Sequence, residues 1–97
     1  MTLELTGKQT SHLKAAGQRL EVAVRVGKAG LSDALIGQVR SVFAGRELVK
    51  VRLGAGPAAQ RRQSAKLLAQ AVDAAVVAIV GRNALLYRPN EGIIEQP

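Results

Sequence analysis

The chain has no cysteine and no tryptophan, a single histidine, and Phe43 and Tyr87 as its whole complement of aromatic side chains. Without cysteine there are no disulfides and no thiolate metal sites. With two isolated aromatics there is no row of interfacial anchors for a helix lying on a membrane. The longest apolar run, AAVVAIV at residues 74–80, falls well short of the roughly 18 residues that span a bilayer. The opening MTLELTGKQT lacks the basic start and apolar middle of a signal peptide. A soluble intracellular protein, cytoplasmic and not membrane-bound, is expected. Acidic residues are also scarce, at 7 Asp and Glu against 14 Lys and Arg, for a formal net charge of +7.

What is present suits one domain. At 97 residues and 47% apolar content there is material for one core, since domains commonly run to about 100 to 150 residues. No linker or internal repeat divides the chain. Glu91 and Glu95 lie in the tail, so the remainder is more basic still. A field of that sign attracts polyanions, nucleic acid before anionic membrane. The cations are spread from Lys8 to Arg88 and do not line one amphipathic helix, which argues against a membrane surface.

The pattern predicts three helices and four strands. Thr6 and Gln9 stand at capping-box spacing before a helix over residues 6–17, on which Leu13, Ala16 and Leu20 recur at roughly helical intervals. EVAVRV, residues 21–26, alternates Val22, Val24 and Val26 with Ala23 and Arg25, which is the period of a half-buried strand. After GKAG, Ser32 is a good N-cap, with Leu31 and Ile36 placed as a hydrophobic staple. The helix it opens carries Leu35, Val39 and Val42 on one face, flanked by Ile36 and Phe43, and should end near Gly45.

ELVKVRL, residues 47–53, sets Val49, Val51 and Leu53 opposite Lys50 and Arg52, so both strands place cations on the face away from their valines. GAGPAA turns the chain, and a third helix runs from about Ala58 through QRRQSAKLLAQAVDA, with Leu67, Leu68, Ala71, Val72 and Ala75 as its apolar side. VVAIV reads as an interior strand because it is nearly continuous in apolar residues. GRN then makes a tight hairpin into ALLYR, which Pro89 stops, and NEGIIEQP has no usable pattern. The expected fold is a single α/β domain, order αβαβαββ, on a four-stranded mixed sheet. Strand order, and with it the faces taken by the second and third helices, is left open.

The glycines admit four readings. No GxxxxGK run followed by Ser or Thr exists, so a P-loop is excluded. Gly54, Gly56 and Ala59 fit GxGxxA between strand and helix. An acid should follow at the end of the next strand, yet the chain there reads Gly81-Arg82, and Pro57 removes an amide where phosphate would be held. No cofactor is expected. For GKAG, two compatible readings remain: a glycine-shaped turn from strand to helix, and a backbone open to a phosphate near a helix start with Lys28 adding charge.

In order and at these separations, LTGKQTSHLKAAG, VRVGKAGLSDALI, ELVKVRL and VGRNALLYRP resemble the CRM (YhbY-like) domain family over residues 3–89, leaving 90–97 as a C-terminal tail. The resemblance implies a fold similar to the C-terminal domain of translation initiation factor three. It also implies a GxxG loop comparable to the backbone-gripping loop of KH domains. Its functional implication is RNA binding, with ribosomal RNA in a precursor of the large ribosomal subunit as partner and ribosome assembly as role. Gly27, Lys28, Ala29 and Gly30 match the loop, and Leu31 the apolar residue after it. Lys8, Gln9, Leu13 and Lys14 match the first-helix pattern, Lys50 the polar position of the second strand, and Gly81, Tyr87 and Arg88 the closing hairpin. Ala29 departs from the polar residue common inside the loop.

The candidate RNA-binding residues are accordingly Gly27, Lys28, Ala29 and Gly30 in the loop, Lys8 and Lys14 on the first helix, Arg25, Lys50 and Arg52 on the sheet, and Arg82 in the hairpin. With so few aromatics, binding should rest on phosphate and RNA shape, with steep salt dependence. An enzyme is not expected: His12 stands alone in a lysine-bearing helix, and Glu4, Glu21, Asp33, Glu47 and Asp73 fall in different elements, so no acid, base and nucleophile assemble. Neither a metal site nor a small-molecule substrate is expected. A monomer is expected. The alternative is a protein-binding module of the translation apparatus that makes no direct RNA contact.

Overall fold

A computed structural model describes residues 5–89. The chain forms α1 (Gly7–Gly17), β1 (Val24–Arg25), α2 (Asp33–Phe43), β2 (Leu48–Arg52), α3 (Ala58–Ala71), β3 (Ala75–Val80) and β4 (Asn83–Tyr87). This is the expected order, helix by helix and strand by strand. The expected tail, 90–97, lies outside the described residues.

The helix starts follow the local chemistry. Thr6 Oγ1 accepts from the Gln9 N–H at 3.1 Å while Gln9 Oε1 accepts from the Thr6 N–H at 2.9 Å, completing the capping box. Ser32 Oγ accepts from the Leu35 N–H at 3.2 Å, and Leu31 and Ile36, the staple positions, each pack against the core. α3 differs: its N-cap is Pro57, which supplies no side-chain acceptor. It ends in a Schellman motif, with the Ala74 N–H donating to Ala69 O at 2.8 Å and the Asp73 N–H to Gln70 O at 3.4 Å. Asp73 takes the left-handed conformation there, φ 56, and this stops the helix short of the predicted Ala75.

The strands lie in the order β1-β2-β4-β3. β1 and β2 are parallel, while β4 runs antiparallel to both β2 and β3. β1, β2 and β3 therefore point the same way, and both crossovers step across the sheet in one direction. A common hand then places α2 and α3 on one face. There Leu35, Val39, Phe43, Leu68 and Val72 meet Val49, Val51, Leu53, Ala84 and Leu86 in the core. Alternation turns Lys50, Arg52, Asn83 and Leu85 to the opposite face. α1 crosses that second face through Gly17, whose lack of a side chain admits Leu85; a Cβ at Gly17 would collide with the leucine methyls.

Three expectations are corrected. The strand predicted over residues 21–26 is regular only at Val24–Arg25, although the Ala23 and Val26 N–H groups also donate 2.8 Å bonds to Lys50 O and Arg52 O. As an edge strand with one parallel neighbour, β1 has no second ladder to extend it. β3 lies at the other edge, not in the interior; β4 folds back from the hairpin into the slot beside β2. Its apolar run reflects what covers its faces, and the edge leaves Val80 59% exposed. On α3 the buried side is Ala65, Leu68, Ala69 and Val72, while Leu67 is exposed. The small alanines let α3 approach the sheet and rotate Leu67 outward.

Candidate nucleic-acid interface

Because β1, β2 and β3 are co-directional, the connections that leave their carboxyl ends gather at one end of the sheet. These are the Gly27–Gly30 turn after β1, the Gly54–Gly56 turn after β2 and the Gly81–Arg82 turn of the hairpin. Backbone bonds tie them together, Val26 N–H to Arg52 O at 2.8 Å and Leu53 N–H to Arg82 O at 2.6 Å. In open α/β sheets this is the end where ligands bind. Between the three turns lies a cleft of about 520 Å³, within the size range of small-ligand sites.

Among the described residues three cations line the cleft, Lys28, Arg61 and Arg82, and no acidic residue does. Lys28 and Arg82 are exposed and Arg61 is half-buried.

The GKAG turn is a hydrogen-bonded four-residue turn, closed by the Gly30 N–H on Gly27 O at 3.0 Å, after which the Ser32 N–H donates to Gly30 O at 3.0 Å. The N–H groups of Lys28 and Ala29 have no partner among the described residues. Gly30 sits at φ 68 and so needs glycine for its conformation. Gly27 does not: its φ is ordinary and a Cβ there would meet nothing within 4 Å. The expectation that both glycines serve the turn's shape therefore holds for Gly30 alone.

The predicted residues divide into three places. Gly27, Lys28, Gly30 and Arg82 converge on the cleft, and Ala29 is exposed at the turn's outer side. Arg25 and Arg52 are cross-strand neighbours at the same end of the sheet, on the face that α1 crosses. Lys50, two residues back along β2, shares a shallow hollow with Lys14, Gln18 and Asn83. Lys14, Lys50, Arg52 and Arg25 thus form a basic stripe that leads to the cleft end. Lys8 is not part of it. It stands at the start of α1 beside a hollow lined by Leu13, His12 and Tyr87, at the far end of the sheet, where Tyr87 pairs with Leu48. Burial, and then the charge of Glu47, hold the Tyr87 phenol above its ordinary pKa.

Arg61 is not among the residues predicted to contact RNA, and Gly54 and Gly56 read in the sequence only as a turn and a dinucleotide fingerprint. No local spacing marks either, because their place in the cleft follows from the parallel pairing of β1 and β2.

Comparison with known proteins agrees with this architecture. A probable RNA-binding protein of Methanocaldococcus jannaschii is 42% identical over 91 residues, covering 92% of this chain and 67% of that one. A probable RNA-binding protein of Bacillus subtilis is 29% identical over 87 residues, covering 90% and 91%. The solution structure of a hypothetical protein from Staphylococcus aureus, presented as a candidate RNA binder, superposes with a TM-score of 0.82 at 26% identity over 91% of this chain and 92% of that one. The CRS1 / YhbY (CRM) domain matches residues 5–88, essentially all of the described chain, and the protein belongs to that family.

Proposed function

We propose that the protein binds RNA through the GKAG turn and the basic surface continuous with it, and acts as an assembly factor on precursors of the large ribosomal subunit. The observation that carries this reading is the convergence of three turns at the carboxyl end of the sheet, with cations on each side of a cleft and no acid lining it among the described residues. Backbone amides without protein partners in the GKAG turn suit a phosphate oxygen, and Lys28 supplies the counter-charge. The stripe of Lys14, Lys50, Arg52 and Arg25 lengthens the footprint along the RNA backbone. Similarity to proteins named for RNA binding supports the partner class. The scarcity of aromatic platforms favours contacts to phosphate and RNA shape over base stacking.

We read the role as that of a binder, in line with the relatives named for RNA binding. Among the described residues no helix is long and apolar enough to cross a membrane. We place the working form as a cytoplasmic monomer on ribosomal RNA.

Gradient sedimentation of a native-host lysate at low salt and low magnesium tests the reading. The expected result is comigration of the protein with large-subunit or precursor particles, lost in a Lys28→Glu variant. Comigration that persists in the variant would point instead to a protein contact on the particle, and a protein that stays at the top of the gradient would contradict the ribosomal role.

A further inference from the structure

Arg61 is the feature of the cleft that GKAG does not explain. It stands in the first turn of α3, half-buried, and its Nη1 donates to Gly56 O at 2.5 Å. Its Nε is buried without a partner, and its Nη2 has no acceptor among the described residues. Among the described residues no carboxylate lines the cleft to balance it, and the charged neighbours there are two further cations. A guanidinium partly withdrawn from water, with unused donors and like charges beside it, is destabilised unless an anion completes it. Its planar fork matches phosphate oxygens.

The turn opposite is shaped for the same purpose. Gly56 lies at φ 155, a conformation that side-chain-bearing residues rarely adopt, and in it the Gly56 carbonyl accepts from Arg61. The bond to Gly56 O fixes Nη1, Nε lies buried behind it, and Nη2 is the donor left for a ligand in the cleft.

We propose that Arg61 and the Gly54–Gly56 turn form a second phosphate subsite, and that Arg82 closes it from the hairpin side. One single-stranded RNA segment then lies between two glycine turns, one backbone phosphate on GKAG and another on Arg61. This rests on the RNA-binding reading above and adds to it a second wall and a preference for single strands. A cleft between two turns admits one chain, whereas an A-form duplex would meet only its rim.

The test is fluorescence anisotropy with a short labelled single-stranded oligoribonucleotide across a salt series, on the full chain and on Arg61→Gln, Arg82→Gln, Lys28→Gln and Arg62→Gln. Arg62 is exposed, does not line the cleft, and controls for net charge. Arg61→Gln should weaken binding roughly tenfold and lower the slope of log affinity against log salt by about 0.7, the loss of one single-strand phosphate contact. Arg82→Gln, on an exposed side chain that the fold does not use, should weaken binding several-fold and keeps the test open should Arg61→Gln lower the melting temperature.

Cleft variants no weaker than Arg62→Gln would overturn the second subsite. If Lys28→Gln alone weakens binding, GKAG stands and the second wall falls. If Arg61→Gln and Arg82→Gln weaken it and Lys28→Gln does not, the second subsite stands and the lysine of GKAG falls. Displacement of the strand by a free mononucleotide at micromolar concentration would reassign the cleft to a nucleotide and overturn the proposal.

Discussion

The two glycine turns at the carboxyl end of the sheet are built on opposite plans. GKAG closes on itself through Gly30 N–H to Gly27 O, and the helix after it is capped by its own serine. The Gly54–Gly56 turn leads into a helix capped by proline, with no side-chain acceptor for the first amides, and is held from outside by Arg61. One turn is locally complete and offers free backbone; the other is completed by a half-buried cation. The difference teaches how one small domain can present two kinds of phosphate ligand at one place, a backbone surface and a fixed guanidinium.

The largest effect expected from breaking this comparison is at Gly56. Gly56→Val forces a β-branched residue into a positive φ and should lower stability by about 2 to 3 kcal/mol in denaturant titration. Gly27→Ala should leave stability within about 0.5 kcal/mol, since the added methyl meets nothing. It should nonetheless reduce RNA affinity several-fold, because that methyl stands where a phosphate approaches. A destabilised Gly27→Ala, or one with unchanged affinity, would remove the backbone surface from the account.

Ser32→Ala removes the cap of α2 and should cost about 1 kcal/mol by the same titration. Pro57→Asp sharpens the contrast from the other side. The carboxylate caps α3 and offsets the lost rigidity, so stability should move by less than about 0.5 kcal/mol. RNA affinity should fall, because an anion then stands beside the cleft. An affinity that rises in Pro57→Asp would contradict a phosphate there.

The smallest effect is at the far end of the sheet. Tyr87 has its pKa raised by burial and then by Glu47, so the folded state prefers the neutral phenol. That contribution is fully present below the unfolded pKa of about 10 and is lost as pH rises through the higher folded value. Stability should therefore decline on the alkaline side of pH 10. Tyr87→Phe should lessen that decline while leaving RNA affinity unchanged, as thermal melts and anisotropy at successive pH values would show.

The element order was legible in the sequence because each boundary carries its own chemistry: Thr6 with Gln9, Ser32 with its staple, and alternation in ELVKVRL. The GKAG turn was legible for the same reason, lying between an alternating strand and a capped helix. The Gly54–Gly56 turn was seen and weighed only as a dinucleotide fingerprint. Its place opposite GKAG depends on β1 and β2 pairing in parallel, which no local spacing records. The insertion of β4 beside β2 is likewise a tertiary choice, and it moved β3 to the edge against the reading of its apolar run. On α3, Leu67 and Leu68 are equally apolar. Only the close approach allowed by Ala65 and Ala69 decides that Leu68 goes inside and Leu67 out. Arg61 reads as one more surface cation until its Nε is found buried.

The most direct measurement is an amide NMR titration of the protein with single-stranded RNA. The backbone signals of Gly27, Lys28, Ala29 and Gly30 should shift together with those of Gly54, Ala55 and Gly56 at one common RNA concentration, with the Arg61 side-chain Nε–H changing in step. Shifts confined to α1 and the Tyr87 hollow, with both turns unmoved, would contradict RNA binding between the two turns.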